Sequence, residues 1–229
     1  MLERLDYVKL APRRILDAGS GPPQRLLRKR YAGAAVVALD SSLAMLREAK
    51  GFFGKPMRVC GDIAALPLGD GQFDLVWSNM ALHWVADPAL ALQNFHRVLA
   101  AKGLVMFSTL GPDTLRELRE AAGAQRVHAF ADMHDLGDML VAAGFSAPVM
   151  DMEMIEIEYR NQSLVTDLRL SGQTSARADR PRGLAGRGLA ARLEKIAARA
   201  TFEIVYGHAW KPAEIDTSAK TIRVFKRMP

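Results

Sequence analysis

Apolar and polar positions along this chain follow two rhythms that trade places. Arg13–Gly19 (RRILDAG), Ala35–Asp40 (AVVALD), Met57–Asp62 (MRVCGD), Phe73–Asn79 (FDLVWSN) and Leu104–Leu110 (LVMFSTL) contain short apolar runs, several rich in β-branched residues. That is the pattern of strands buried on both faces. Helical stretches lie between them. PPQRLLRKRY opens on Pro22, and proline suits a first helical turn because the N–H it lacks has no partner there. SSLAMLREAK offers Ser41 or Ser42 as N-cap. In DPALALQNFHRVLA, Asp87 stands as N-cap, Pro88 as the first helical residue, and Leu92, Phe95 and Leu99 recur at helical spacing. Gly103 is read as the end of that helix.

Strands alternating with helices over short connections predict an α/β protein with a parallel sheet covered on both faces. Right-handed crossovers make it doubly wound and put ligands at the carboxyl ends of the strands. After Gly111 the rhythm slackens. DMHDLGDMLVAAGF (132–145) reads as an amphipathic helix ended by Gly144. VMDMEMIEIEYR alternates apolar and acidic residues, as a half-exposed strand does, and ATFEIVYGHAWKP (200–212) is placed to pair with it antiparallel. Gly172–Gly188, rich in Gly, Arg and Ser, reads as a surface loop or the edge of a cap. The expectation is a single domain over 1–229, with 111–148 and 160–200 as cap segments on the substrate side.

Composition narrows this only a little. An apolar share of 49% and a charged share of 24% are ordinary for a globular protein. No apolar run reaches the length of a membrane span, and the first ten residues lack the apolar core of a secretion signal. Cys60 is the single cysteine, which fits a reducing cytoplasm and excludes an intrachain disulfide. His128 and His134 stand alone, so no metal site is expected. The net charge of +6 is uneven: Arg177–Arg199 holds seven basic residues against Asp179 and Glu194, and Lys220–Arg227 adds more. Two readings stand, a solvated face or a landing patch for an acidic partner. Without aromatic residues interleaved, the basic run does not argue for nucleic acid.

The candidate chemistry lies where the strands end. Gly19 and Gly21 follow the first strand, where the chain must turn sharply under a ligand. Asp40 ends the second strand about twenty residues on, where a carboxylate accepts hydrogen bonds from a ribose diol. Asp62 ends the third and is placed to accept from an adenine amino group. A dinucleotide needs its pyrophosphate on amide groups at the helix start. Here the usual third glycine falls at Gln24, and Pro22 and Pro23 have no N–H to offer. S-adenosyl-L-methionine carries no phosphate, and Asp17 stands to meet its amino-acid end. Asn79, His83 and Trp84 follow the fourth strand, near the sulfur end or the substrate mouth. His83 and Trp84 fit a packed pair equally well. Tyr206, His208 and Trp210 share one strand face and fit core or rim.

The stretches LDAGSG, ALD, CGDIAALPLGDGQFDLVWSNMALHW and RVLAAKGLVMFSTLGPDTLRELR resemble class I S-adenosylmethionine-dependent methyltransferases. STLGPDTLRELR, DMHDLGDMLVAAGF, DLRLSGQTSA and YGHAW are similar to the malonyl-acyl carrier protein O-methyltransferases of biotin synthesis, and the resemblance runs from Arg13 to Pro212. It implies a Rossmann-like methyltransferase fold, mostly parallel, with an antiparallel C-terminal strand. It also implies methyl transfer to the free carboxylate of a malonyl thioester on an acidic acyl carrier protein. The expected cofactor set is Asp17, Gly19, Gly21, Asp40, Ser41, Asp62, Ile63 and Asn79. Arg169, in DLRLSG, matches a position that usually carries a basic residue, and with His83 it makes the expected catalytic pair. The basic stretch Arg177–Arg199 is the expected seat of the carrier.

Three features depart from that family. Its members carry an N-terminal helical segment that closes over the cofactor. Here about a dozen residues precede the first strand, so that lid is expected to be absent or to lie before Met1. Pro22 and Pro23 replace small residues of the glycine loop, and Ala129 stands where relatives often have arginine. These motivate a rival reading, a degenerate, non-catalytic binding or assembly partner, or a hydroxylase-like relative that binds the same cofactor.

Overall fold

The fold was read from a computed structural model, which describes residues 1–22, 25–48, 57–159, 164–173 and 199–213. Seven strands form one sheet: β1 (Arg14–Ala18), β2 (Ala35–Asp40), β3 (Met57–Cys60), β4 (Phe73–Asn79), β5 (Leu99–Leu110), β6 (Ser146–Glu158) and β7 (Arg199–Trp210). Their order is β3-β2-β1-β4-β5-β7-β6. β1 to β5 are mutually parallel, and β7 runs antiparallel between β5 and β6. The order reverses at β1 and β4, the switch point that opens a crevice at the carboxyl ends of doubly wound sheets.

The period of two along each strand decides which helix it meets. Ile15, Val36, Leu75, Trp77, Leu104 and Met106 line one face, with Leu27 of α1 (Arg25–Arg30) and Leu5 of a 3-10 turn at Leu2–Tyr7. Leu16, Val37, Val76, Val105 and Phe107 line the other. There they meet Ala91, Leu92 and Phe95 of α3 (Pro88–Val98) and Leu136 and Leu140 of α5 (Met133–Ala142). Phe95 is fully buried, so its truncation to alanine costs about 3–5 kcal/mol.

Caps set the helix starts. Asp87 accepts from the Leu90 N–H at 3.1 Å, and Asp132 accepts from the His134 N–H at 2.7 Å. Ser42, rather than Ser41, caps α2 (Leu43–Arg47) by accepting from Met45. α5 ends ahead of Gly144, which takes φ +94.

Several expectations are corrected. α1 begins at Arg25, so Pro22 lies in the bend before the helix and not in its first turn. α3 ends at Val98, not at Gly103. Leu99 has already turned to extended backbone and pairs with Phe73, so its helical spacing was shared with a strand. Gly103 lies inside β5, where a Cβ would press on the Ala100 carbonyl oxygen at 2.8 Å and on that of Phe73 at 3.2 Å. β6 is exposed along both faces rather than one, with Met150, which packs against the main core, the half-buried exception.

Within the segments expected as a cap, α5 and Phe145 belong to the main core. A separate small cluster gathers Leu115 and Val127, which flank α4 (Arg116–Ala122), with Leu164 and Leu168 of α6 (Leu164–Leu170) and Ala200. Because Leu110 at the end of β5 pairs with Ile204 of β7, that cluster sits beyond the carboxyl end of β5. Gly172 and Gln173 follow α6; the rest of the Gly172–Gly188 stretch lies outside the described residues, as does Lys220–Arg227.

Candidate cofactor and acceptor site

β1 delivers the chain into a tight turn. The N–H groups of Gly19 and Ser20 both donate to the Leu39 carbonyl of β2, at 2.8 and 2.9 Å. Gly19 takes φ +71, and a Cβ there would collide with the Cβ of Ala81, just past β4. Its bareness therefore serves packing between the two loops as well as the turn. Gly21, at φ +55, has nothing within 4 Å of where a Cβ would stand. Pro22, next in the chain, is exposed, and Pro23 lies outside the described residues.

Asp40 fixes the turn from the next strand. Its Oδ2 accepts from the Gly21 N–H at 2.9 Å and its Oδ1 from the Ser42 N–H at 2.8 Å. A carboxylate oxygen has two lone pairs, so each keeps capacity for a hydroxyl. Asp17 is different. It lies within β1, is 3% exposed, and no described residue hydrogen-bonds its carboxyl. Burial, with the charge of Asp40 second, pushes its pKa up to about 7. A buried carboxylate without a partner is a place for a cation. The charged ammonium and sulfonium of S-adenosylmethionine have the chemistry this donor set wants.

Asp62 accepts from the Ala64 N–H at 2.8 Å, opening a turn after β3. Ser41 is exposed beside it, its carbonyl accepting from Cys60 Sγ at 3.5 Å. Ile63 is buried in the main core, so its side chain serves the fold and is not offered to a ligand. Asn79 is exposed at the end of β4, its Oδ1 accepting from Ser108 Oγ at 2.9 Å. The Ser108 hydroxyl also accepts from the N–H of Met80, which takes φ +56. A non-glycine residue in that region costs about 1–3 kcal/mol and persists where its surroundings enforce it.

His83 lies in the 3-10 turn Leu82–Trp84, two residues past Ala81. Its ring is 5.4 Å from Trp84 and meets Phe130 edge-on at 6.1 Å. Burial, with His128 second, pushes its pKa down to about 4. Arg169 sits on the exposed side of α6; its carbonyl accepts from the Gly172 N–H at 3.2 Å, while its side chain joins no other described residue by hydrogen bond or ion pair. The structure thus brings Asp17, Gly21 and Asp40 together and sets Asn79 and His83 at the exit of β4. It attaches Arg169 to neither group. Of the basic stretch, Arg199 alone is described; it pairs with Glu158 at 3.0 Å and is committed to the β6–β7 ladder. Arg177–Lys195 lie outside the described residues.

Four residues beyond the end of β5 or beside His83 escaped the sequence reading as site residues. Glu203, buried on β7, accepts from the Asp113 N–H at 2.8 Å, and a Cβ at Gly111 would strike its carboxylate. Thr114 Oγ donates to the Glu203 carbonyl at 3.2 Å and accepts from its N–H at 3.1 Å. The signal was there, an acid at an inward position of an alternating strand. His128 and Phe130 reach His83 from the stretch between α4 and α5, and nothing in the sequence pattern marks that contact. Among the described residues, no three or more His, Cys, Asp or Glu gather to hold a metal, and no helix is long and apolar enough to cross a membrane.

A sheet reversed at β1 and β4, a glycine turn and a carboxylate ending β2 define a class I S-adenosylmethionine-dependent methyltransferase, and a family described as a methyltransferase domain matches residues 16–107. The chain is 47% identical to the malonyl-[acyl-carrier protein] O-methyltransferase of Gallionella capsiferriformans, over 93% of this chain and 82% of that protein. It is 46% identical to the protein of that name from Laribacter hongkongensis, over 93% and 80%. Among solved structures, the YcgJ protein of Bacillus subtilis shares the fold at a TM-score of 0.66 and 16% identity, covering 92% of this chain and 97% of that one. A putative methyltransferase from Bacillus halodurans does so at 0.62 and 19%, covering 93% and 99%. The chain belongs to the malonyl-[acyl-carrier protein] O-methyltransferase family.

Proposed function

We propose that this protein methylates the free carboxylate of a malonyl thioester carried on an acyl carrier protein, with S-adenosyl-L-methionine as donor, in the cytoplasm and in the service of biotin synthesis. The observation that carries the cofactor half is the buried, unpartnered Asp17 carboxyl beside Asp40. The acceptor comes from relatives that match over nearly the whole chain.

Bound in this crevice, S-adenosylmethionine supplies an electrophilic methyl on a sulfonium. Asp17 receives the positive amino-acid end. Asp40 holds the loop with its inner lone pairs and takes the ribose hydroxyls with the outer ones. Asp62 accepts from the adenine amino group, with Ser41 beside it. Gly21 lets the backbone approach, and Asn79, fixed by Ser108, borders the sulfur end. The acceptor carboxylate is already anionic, so position and orientation supply the acceleration and no base is needed. Arg169, exposed on α6, draws the anionic substrate towards the mouth. The acidic carrier settles on basic residues of that side, and α4 with α6 acts as the cap.

The degenerate reading rests in part on proline bulk in the loop; Pro22 stands exposed, and Pro23 lies outside the described residues. Calorimetry with S-adenosylhomocysteine, followed by mass analysis of malonyl-carrier protein after incubation with the donor, tests the proposal. Micromolar binding and a mass gain of one methylene are expected. No binding at millimolar ligand would restore the degenerate reading.

A further inference from the structure

His83 Nδ1 is enclosed and finds no hydrogen-bond partner among the described residues. The residue as a whole stays partly exposed, and Nε2 is not among the enclosed unpartnered atoms. The neutral ring must place its one proton on one of these nitrogens. A buried N–H with no acceptor is rarer in folded proteins than a buried acceptor with no donor. The proton therefore belongs on Nε2. Trp84 and Phe130 hold the ring between them, at 5.4 and 6.1 Å. The turn that carries it is anchored at Met80 by Ser108 and at Ala81 against Gly19. The geometry presents one fixed N–H beside the exit of β4.

We infer that His83 is a neutral hydrogen-bond donor, locked as the Nε2–H tautomer, that holds one oxygen of the acceptor carboxylate and leaves the other free to attack. This rests on the methyl-transfer reading above. A guanidinium pairs with both oxygens of a carboxylate and draws charge from each; a single neutral donor orients the group and spares its nucleophile. In the step itself, a lone pair of the free oxygen forms the C–O bond, and the C–S bond breaks with its electrons going to sulfur. No proton moves, so His83 keeps its own throughout. His128, between α4 and α5, is the titratable neighbour that faces the ring among the described residues, and with burial it opposes a second proton.

The test begins on the wild-type protein labelled with 15N. Long-range 15N–1H correlation is expected to show His83 as Nε2–H and neutral down to pH 5. At saturating cofactor, where Asp17 is already committed, kcat/KM for malonyl-carrier protein is expected to show no histidine titration between pH 5.5 and 8. His83→Ala should raise KM for the carrier substrate about 10- to 100-fold, the loss of one hydrogen bond to a charged group, while affinity for S-adenosylhomocysteine stays within about twofold. His83→Gln, whose amide N–H stands near the place of Nε2–H, should recover most of the loss, and His83→Asn should not. An Nδ1–H tautomer overturns the inference, even where the alanine variant fails to fold. So does an acid limb near pH 6–7 that His83→Gln removes, or an alanine variant that methylates like wild type. Wild-type protein that binds cofactor yet methylates no malonyl thioester overturns the functional reading as well.

Discussion

The β1–β4 half of the sheet and the β5–β7 half solve different problems. In the first, short parallel strands end at one crevice, and the residues proposed for the cofactor lie at a strand end or within two positions of it: Gly19, Asp40, Asp62, Asn79. Asp40 and Asp62 are held by loop backbone, the N–H groups of Gly21 and Ala64, and Asn79 by the Ser108 hydroxyl of β5. In the second half, the strands run longer than the rest of the sheet needs. The turn after β5 is held by side chains far away in sequence, Glu203 on Asp113 and Glu117 on Thr201. The proposed cofactor side is built from contacts close in sequence or between neighbouring strands. The proposed acceptor side is assembled from segments far apart in sequence.

Substitutions in each half should separate the two. The largest effect is expected at Asp17→Asn. With its folded pKa raised to about 7, Asp17 favours the native state below its ordinary range near 4, and that contribution is lost as pH rises towards 7. At pH 8 the ionised group costs the fold about 4 kcal/mol, so the asparagine variant should melt higher by that amount in free energy while losing affinity for S-adenosylhomocysteine. Binding of that ligand to wild type should release a proton near pH 6.5, read by calorimetry in buffers of differing ionisation enthalpy. Unchanged melting and no proton release would show that the carboxyl is not held neutral.

Asp40→Ala follows, with about a 100-fold loss of ligand affinity for two charge-assisted hydrogen bonds and the ribose contact. It should leave the β5–β7 half intact by hydrogen exchange. Gly111→Ala reverses the pattern. Its Cβ meets the Glu203 carboxylate, and overpacking should cost about 2 kcal/mol in chemical denaturation, with ligand affinity untouched. Glu117→Gln is the mildest. Glu117 accepts from the Thr201 N–H at 3.1 Å and from its hydroxyl, so weakening that bond should cost about 1 kcal/mol and raise exchange in α4 before it lowers activity. Equal exchange in α4 and α3 would remove the distinction between the halves.

The same division explains what the sequence disclosed. β2 and β4 stand at Ala35–Asp40 and Phe73–Asn79 as the apolar runs imply, because a strand buried on both faces leaves no other reading. The order of acids after strands one to three was equally plain, since it depends on nearby backbone alone. Gly103 misled because one leucine, Leu99, satisfied both a helical and an extended period. Arg169 was chosen by likeness to a family, and its exposure on α6 depends on how α6 packs on Ala200, a contact no local pattern encodes. His128 and Phe130 were hidden for the same reason, their partner His83 lying tens of residues away, while Glu203 showed only as an acid at an inward position of β7.

β7 is the last strand of the sheet in chain order, yet it lies between β5 and β6. Until Arg199–Trp210 has been made, β6 has no pairing strand among the described residues, and its exposed Met152, Met154, Ile155 and Ile157 lack that cover. The nascent chain must therefore carry a sticky, solitary strand through the synthesis of the forty residues between Glu158 and Arg199. A premature stop in that interval would leave β1 to β6 with β6 unpaired, a hazard for aggregation rather than a smaller enzyme.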